Sequence, residues 1–447
     1  MKILLFFFVA ACLVASGVAE ESGDGAAEVP AISISDVSIA QERADGFQLV
    51  TVSYRLGDVP AIVTVDFLTN GVSIGEQNFN NVVGAVNRLV TQTNMVHSIY
   101  WRPAKSCPGL GGAAVTAKVT AWKQDDPPDY LVVSLKDHSV PPIAYYVSTN
   151  ALPGTLADDA YRTSRIVMRR IKAANVKWQM GATVADFQAA GMTGEPLARE
   201  TAHNVTLSYD YFIGIYPVTQ EQYRRFTGAS ALGGYFTSHE DSAIRPRSGL
   251  NYNTVRGSGT GVEHSSVSSS SAIGKLRSVT GVDFDLPSDA EWEYACKAGT
   301  THVLYTGDGY TESNVKKIAW VHSNSSSQTH PVGKKIPNAW GLYDMIGNTL
   351  EWCRDFWLDN LGTADVEDPL VVSSSNNRVM RGSRYDYSWK PYARTTYRSA
   401  DIPNRSSAQA KAYGFRVMCP VLLKFPASAP EPEEPPEAGS EDEVETN

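Results

Sequence analysis

The chain has 447 residues, a net charge of -9 and a hydrophobic content of 43%. That length suffices for two or three domains with real cores. The acidic balance excludes a general electrostatic pull toward nucleic acid or anionic lipid, and past the first residues no apolar run is long enough to span a bilayer as a helix.

Met1-Lys2 precedes an apolar run from Ile3 to Ala15, followed by small residues to Ala19. A basic start, a short apolar stretch and a small-residue end predict a secretory signal peptide over residues 1–19, and hence a secreted or periplasmic protein. Four cysteines follow it, Cys107, Cys296, Cys353 and Cys419. None has a CxxC or other metal-ligand spacing. Export permits disulfides, so the expectation is one bridge plus free buried thiols, with Cys353 or Cys419 as candidates for the bridge.

Residues 30–138 read as an all-β immunoglobulin- or fibronectin-like sandwich. Phe47–Tyr54 and Ile62–Phe67 alternate apolar and polar residues, as half-buried strands do, and Asn70-Gly71 signals a tight hairpin turn. Further strands are expected at Ser98–Trp101, Ala113–Trp122 and Tyr130–Leu135. The Pro141-Pro142 region sits in a connector over 139–164. A second domain then runs over 165–420 with two evident helices. One covers Thr219–Phe226 with Thr219 as N-cap. The other covers Asp289–Lys297, where Ser288 and Glu291 fit a reciprocal capping box. Ser258–Ser271, rich in Gly and Ser, reads as a surface loop. Residues 428–447 are Pro- and Glu-rich and are expected to be disordered.

Five ordered stretches of the second domain carry a pattern: Trp178–Gly181, Phe212–Thr219 with Gln222, Tyr223 and Phe226, Leu286–Ala295, Asn338–Trp352, and Arg381-Gly382-Ser383 with Tyr413–Arg416. Within the fourth, Gly341-Leu342-Tyr343-Asp344-Met345 leads into Gly347-Asn348-Thr349-Leu350-Glu351-Trp352. Together they resemble the formylglycine-generating (sulfatase-modifying factor) family over residues 165–420. The resemblance implies an irregular α+β fold of the C-type-lectin type, held by buried tryptophans such as Trp292, Trp340 and Trp352. Glu291, Glu351 and Arg416 read as structural ion-pair partners.

Asp344, Gly347, Thr349 and Glu351 have a spacing suited to a hard cation, with two carboxylates bracketing two main-chain carbonyls. In the family these positions resemble a calcium site, so Ca²⁺ is the expected cofactor. The competing reading is a glycine turn whose two carboxylates bond to main-chain amides.

The family's oxidising members carry two cysteines after the Arg-Gly element, and these hold the Cu(I) that activates O₂ to convert a substrate cysteine to formylglycine. Cu(I) is soft and favours thiolate. Here the two positions fall on Tyr387 and Tyr392, whose phenols stay protonated and are hard donors. Copper is therefore not expected, no catalytic residue is assigned, and the domain reads as a pseudoenzyme. The surrounding segment is dense in Tyr, Trp and Arg, the residues that dominate binding hot spots. Tyr385, Tyr387, Trp389, Tyr392, Arg394 and Arg398 are the expected ligand-binding set, for a peptide or a glycan. The leading expectation is an exported, calcium-stabilised binding or envelope-associated protein. The alternative is an oxidoreductase making formylglycine by an atypical site. The sequence leaves the oligomeric state open.

Overall fold

The computed structural model describes residues 31–423 apart from 45–46, 80, 104–113, 136–142, 190, 194–197, 260 and 374. The expected signal peptide, the acidic tail and Cys107 lie outside the described residues. The chain divides into two compact units, residues 1–128 with 144–156 and 427–447, and residues 129–143 with 157–426.

Strict alternation builds the first unit. In the strand Phe47–Leu56 (β2, after β1 at Ile34–Ala44) Val50, Val52, Tyr54 and Leu56 are fully buried. The intervening residues lie on the opposite face of the pleat. β3 (Ala61–Thr69) turns through Asn70 and Gly71, both at positive φ, into β4 (Val72–Ser73), with Thr69 opposite Val72. This two-residue turn is the one the Asn-Gly pair calls for. β5 (Val83–Gly84), β6 (Arg88–Val90), β7 (Val96–Trp101) and β8 (Val115–Trp122) complete two sheets, β1-β2-β7-β5 and β4-β3-β6 with β8 also on β3. Both sheets feed one core, where Trp101 stacks on Phe67 at 4.4 Å and Phe79 meets Phe67 edge-on. Each such ring contributes roughly 1.5–3 kcal/mol on burial.

Tyr130–Leu135 departs from the expected domain assignment. The strand Tyr130–Ser134 (β9) belongs to the second unit and pairs antiparallel with Arg165–Ile171 (β11, after β10 at Ile143–Tyr146). Leu131, Val132 and Val133 are all buried, so both faces are covered, as in an interior strand. The expected connector also carries order of its own: Ser148 caps a short 3₁₀ turn at Thr149–Ala151, and a one-turn helix occupies Ala160–Thr163.

The second unit uses small sheets and short helices. β12 (Val176–Met180) pairs with β13 (His203–Leu207), while β14 (Tyr211–Gly214) lies beside β11. β15 (Leu350–Phe356) and β17 (Arg378–Arg381) form the centre of a sheet with β18 (Arg398–Asp401) and β19 (Tyr413–Gly414), with β16 (Val366–Glu367) between them in the chain and β20 (Met418–Pro420) pairing with β14. The helices Gln220–Thr227 and Asp289–Lys297 both open with full capping boxes, Thr219 with Gln222 and Ser288 with Glu291. Two helices the sequence pattern did not announce, Ala272–Thr280 and Glu312–Ile318, are capped by Ser271 and Thr311. The Gly/Ser loop before Ser271 is pinned by Arg256, which donates to Gly261 O, Val262 O and Glu263 O.

Charge organises this interior. All nine residues of Asp289–Lys297 are buried, including three carboxylates. Asp289 pairs with Arg381 and Arg398, and Glu293 with Lys297 and Arg381. Glu291 meets Arg354, while Glu351 receives Arg416. Glu291, Glu351 and Arg416 are thus internal ion-pair partners, as their types suggested. Such pairs contribute little net stability, but losing one partner strands a buried charge. Cys296, Cys353 and Cys419 are free and buried, so the expected bridge through Cys353 or Cys419 is not formed. Cys419 instead packs its sulfur 3.9 Å from Met168 Sδ. Trp292 and Trp352 are fully buried, while Trp340 is half-buried and meets Tyr294 edge-on at 5.1 Å. Among the described residues no helix is long and apolar enough to cross a membrane.

Candidate functional site

The loop 341–349 is shaped by backbone sign. Gly341, Asp344, Gly347 and Asn348 all have positive φ. At Gly347 a Cβ would lie 2.5 Å from Trp320 O, so this position needs glycine for space as well as for conformation. Asn338 anchors the entrance: its Oδ1 accepts from Trp340 N and Leu342 N, and its Nδ2 donates to Ala295 O and Cys296 O at the end of the buried helix. Asn348 is the hub of the exit. Its side chain closes both backbone groups of His330 and donates to Asp344 Oδ1, and its carbonyl accepts from Tyr385 N. Gly382, also at positive φ, lets the Arg-Gly turn approach Met345 O and the Trp292 ring. The signature loop therefore sits directly against the aromatic segment that follows Arg381.

The two carboxylates of the expected calcium set are in different states. Asp344 is buried and accepts from Gly333 N at 2.7 Å, with no ion pair among the described residues. Burial pushes its pKa up to about 6, and the nearby Glu351 charge adds to the rise. Glu351 Oε2 accepts from Trp292 Nε1 at 2.7 Å and Arg416 Nε at 3.0 Å, while Oε1, among the described residues, accepts only from Arg416 Nη2, at 3.1 Å. One lone-pair direction on Oε1 stays open. Thr349 Oγ1 is buried without a hydrogen-bond partner. Both carboxylates thus have partners within the fold, Asp344 from the Gly333 amide and the Asn348 carboxamide and Glu351 from Trp292 and Arg416. Among the described residues no group of three or more His, Cys, Asp or Glu side chains is placed to hold a metal.

Tyr387 and Tyr392 are brought together. Their ring centroids are 4.6 Å apart, and Tyr397 lies edge-on to both at 6.5 and 5.3 Å. Arg384 covers Tyr387 at 4.3 Å and is held by Asp386 at 2.7 Å. Burial raises the Tyr387 phenol and pushes Tyr397 up to about 12, so both stay protonated at neutral pH. Trp389 packs edge-on against Tyr310, whose hydroxyl donates to Trp389 O.

The other half of the expected ligand-binding set is internal. Tyr385 is 1% exposed, Arg394 chelates Glu200, and Arg398 chelates Asp289. Composition marked these three as contact residues, but a buried carboxylate elsewhere in the chain claims each arginine. Tyr387, Trp389 and Tyr392 remain half-buried with surface to offer. The sequence reading did not single out Tyr397, Arg384 or Asn348. Tyr397 and Arg384 belong to the same aromatic run, while Asn348 stands in the signature stretch and has the left-handed preference of asparagine. Burial holds the thiols of Cys296, Cys353 and Cys419 well above the usual range, so none of the three offers a thiolate at neutral pH.

The model of the sulfatase-modifying factor enzyme 1-like domain matches residues 172–420. This is more than half of the chain, and the chain belongs to that family. It is 31% identical over 229 residues to the serine/threonine-protein kinase Pkn1 of Chlamydia trachomatis serovar L2, covering 48% of this chain and 34% of the relative. It is 30% identical over 141 residues to the formylglycine-generating enzyme of Mus musculus, covering 29% of this chain and 38% of the relative. The chain thus spans little more than a third of these curated relatives. Among solved structures, the Treponema denticola variable protein 1 aligns with a TM-score of 0.46 and 26% identity, over 57% of this chain and 95% of that one.

Proposed function

We propose that the second unit is a binding domain on a sulfatase-modifying-factor scaffold, with the copper chemistry replaced by an aromatic contact surface. The observation that carries this reading is the Tyr387–Tyr392 pair, 4.6 Å between centroids, at the positions where the family resemblance expects two cysteines. Phenols are hard oxygen donors and cannot supply the soft sulfur pair that Cu(I) needs. They can offer ring faces to a sugar ring or a peptide side chain, with the Arg384 cation held in place beside them. The ligand class is a peptide or a glycan.

In this reading the protein is exported and envelope-associated, the first unit is an immunoglobulin- or fibronectin-like presenting module, and the second has the C-type-lectin-like arrangement. Ca²⁺ at Asp344, Gly347, Thr349 and Glu351 would hold the signature loop that underlies the aromatic segment. Tyr387→Ala with Tyr392→Ala tests the proposal. Retention on a glycan or peptide array should disappear while the thermal transition persists; retention equal to the parent protein would defeat the reading. A second reading, formylglycine formation, draws on the named activity of the Mus musculus relative. It would require a site unlike the thiolate pair.

A further inference from the structure

Arg378 is a buried cation that the scaffold meets with aromatic rings and neutral carbonyls rather than with an ion pair. Its side chain is 2% exposed. The guanidinium lies 3.5 Å from the ring centroid of Phe356 and 4.5 Å from that of Tyr252. Among the described residues its acceptors are two neutral carbonyls, Arg354 O at 2.8 Å and Gly259 O at 3.3 Å, and its Nε has no hydrogen-bond partner. Arg381, Arg398, Arg354, Arg256 and Arg416 each reach a carboxylate, whereas no carboxylate of the described residues pairs with Arg378. Burial lowers its pKa and the neighbouring Arg256 charge adds to this, while Tyr252 and the Asp355 carboxylate, which makes no ion pair with it, offset the shift in part. A buried, unpaired cation is costly unless an anion completes it.

Arg378 lines a cavity of about 380 Å³. Asn253, Asn376, Asn404 and Ser258 supply neutral hydrogen-bonding groups around it, and Phe356 and Ile402 supply apolar wall. No described residue engages the three carboxamides. We propose that this cavity binds a small carboxylate carried on a polyhydroxylated body, an acidic sugar in chemical terms. The carboxylate would pair with Arg378, the carboxamides would serve the hydroxyls, and the Phe356 ring would face the carbon skeleton. This site is distinct in residues from the Tyr387–Tyr392 surface and does not depend on it.

The test is calorimetric titration of the full chain with glucuronate, glucose and inorganic sulfate. Saturable glucuronate binding is expected, with glucose and sulfate each about ten-fold weaker or worse. Asn376→Asp with Asn404→Asp places two anions at the exposed rim. It should weaken glucuronate about ten-fold at low ionic strength while leaving the melting temperature unchanged. Arg378→Gln should weaken it as well, and Tyr387→Ala should not. Absent glucuronate binding, glucose or sulfate binding as tight as glucuronate, or an unaffected rim variant would each overturn the proposal.

Discussion

Glu351→Gln separates the two roles open to the signature glutamate. Arg416 is fully buried, and among the described residues Glu351 is the one carboxylate it pairs with, through Nε and Nη2. Its remaining acceptors, Gly214 O and Tyr343 O, are neutral. Replacing the carboxylate strands a buried guanidinium, which costs about 3–5 kcal/mol for a broken buried pair. In a unit of this size that loss corresponds to a fall of roughly 6–20 °C in melting temperature. The assay is denaturant or thermal unfolding in a chelator, so that no divalent cation contributes. Glu351→Gln combined with Arg416→Met should cost at least about 1 kcal/mol less than the sum of the single changes, because the double variant leaves no stranded charge. A Glu351→Gln protein as stable as the parent in chelator, yet no longer stabilised by calcium, would refute the ion-pair reasoning and make Glu351 chiefly a cation ligand.

Other expectations follow from the same interior. Calcium should stabilise the fold by about 2.7 kcal/mol at a hundred-fold excess over its dissociation constant, read as a concentration-dependent rise in melting temperature, and Asp344→Asn should abolish that response. A calcium-independent melting temperature would remove the cation from the account. Burial and Asp289 push Asp355 up to about 7, and Asp344 sits at about 6. Both folded-state values lie above the unfolded carboxylate, so the native state binds the extra protons. Metal-free stability should therefore fall as pH rises from 5 to 8, by up to about 1.4 kcal/mol per pH unit for each group in its titration range. A melting temperature that is flat or rising over this range would contradict those two assignments. Ser288→Ala removes the capping-box acceptor of Glu291 N and should cost about 0.5–2 kcal/mol in unfolding measurements.

Local chemistry was legible in the sequence. Thr219 and Ser288 announced their helices through reciprocal caps, and Asn70-Gly71 announced a two-residue hairpin. The ordered motifs around Trp292, Gly347 and Arg381 gave the family, and that resemblance set Tyr387 and Tyr392 at its two cysteine positions, where their rings lie 4.6 Å apart. Long-range charge pairing was legible only in part: Glu351 and Arg416 read as ion-pair partners, but the partners of the other arginines did not show. Arg381 and Arg398 reach back 92 and 109 positions to Asp289. No periodicity reports such a partner, so Arg394 and Arg398 looked like contact residues. Tyr130–Ser134 was misassigned because a continuous apolar strand carries no label for the sheet it joins. The Arg378 cavity escaped notice because a lone arginine in a strand gives no hint that its partner is missing.

Phenols stand at the two positions where the family's oxidation uses thiolates. Incubation of the full chain with Cu(I), O₂ and a Cys-x-Pro-x-Arg peptide, followed by mass spectrometry of the peptide, tests for that oxidation most directly. The account predicts an unchanged peptide cysteine. Conversion of that cysteine to an aldehyde, dependent on the protein and on copper, would contradict it.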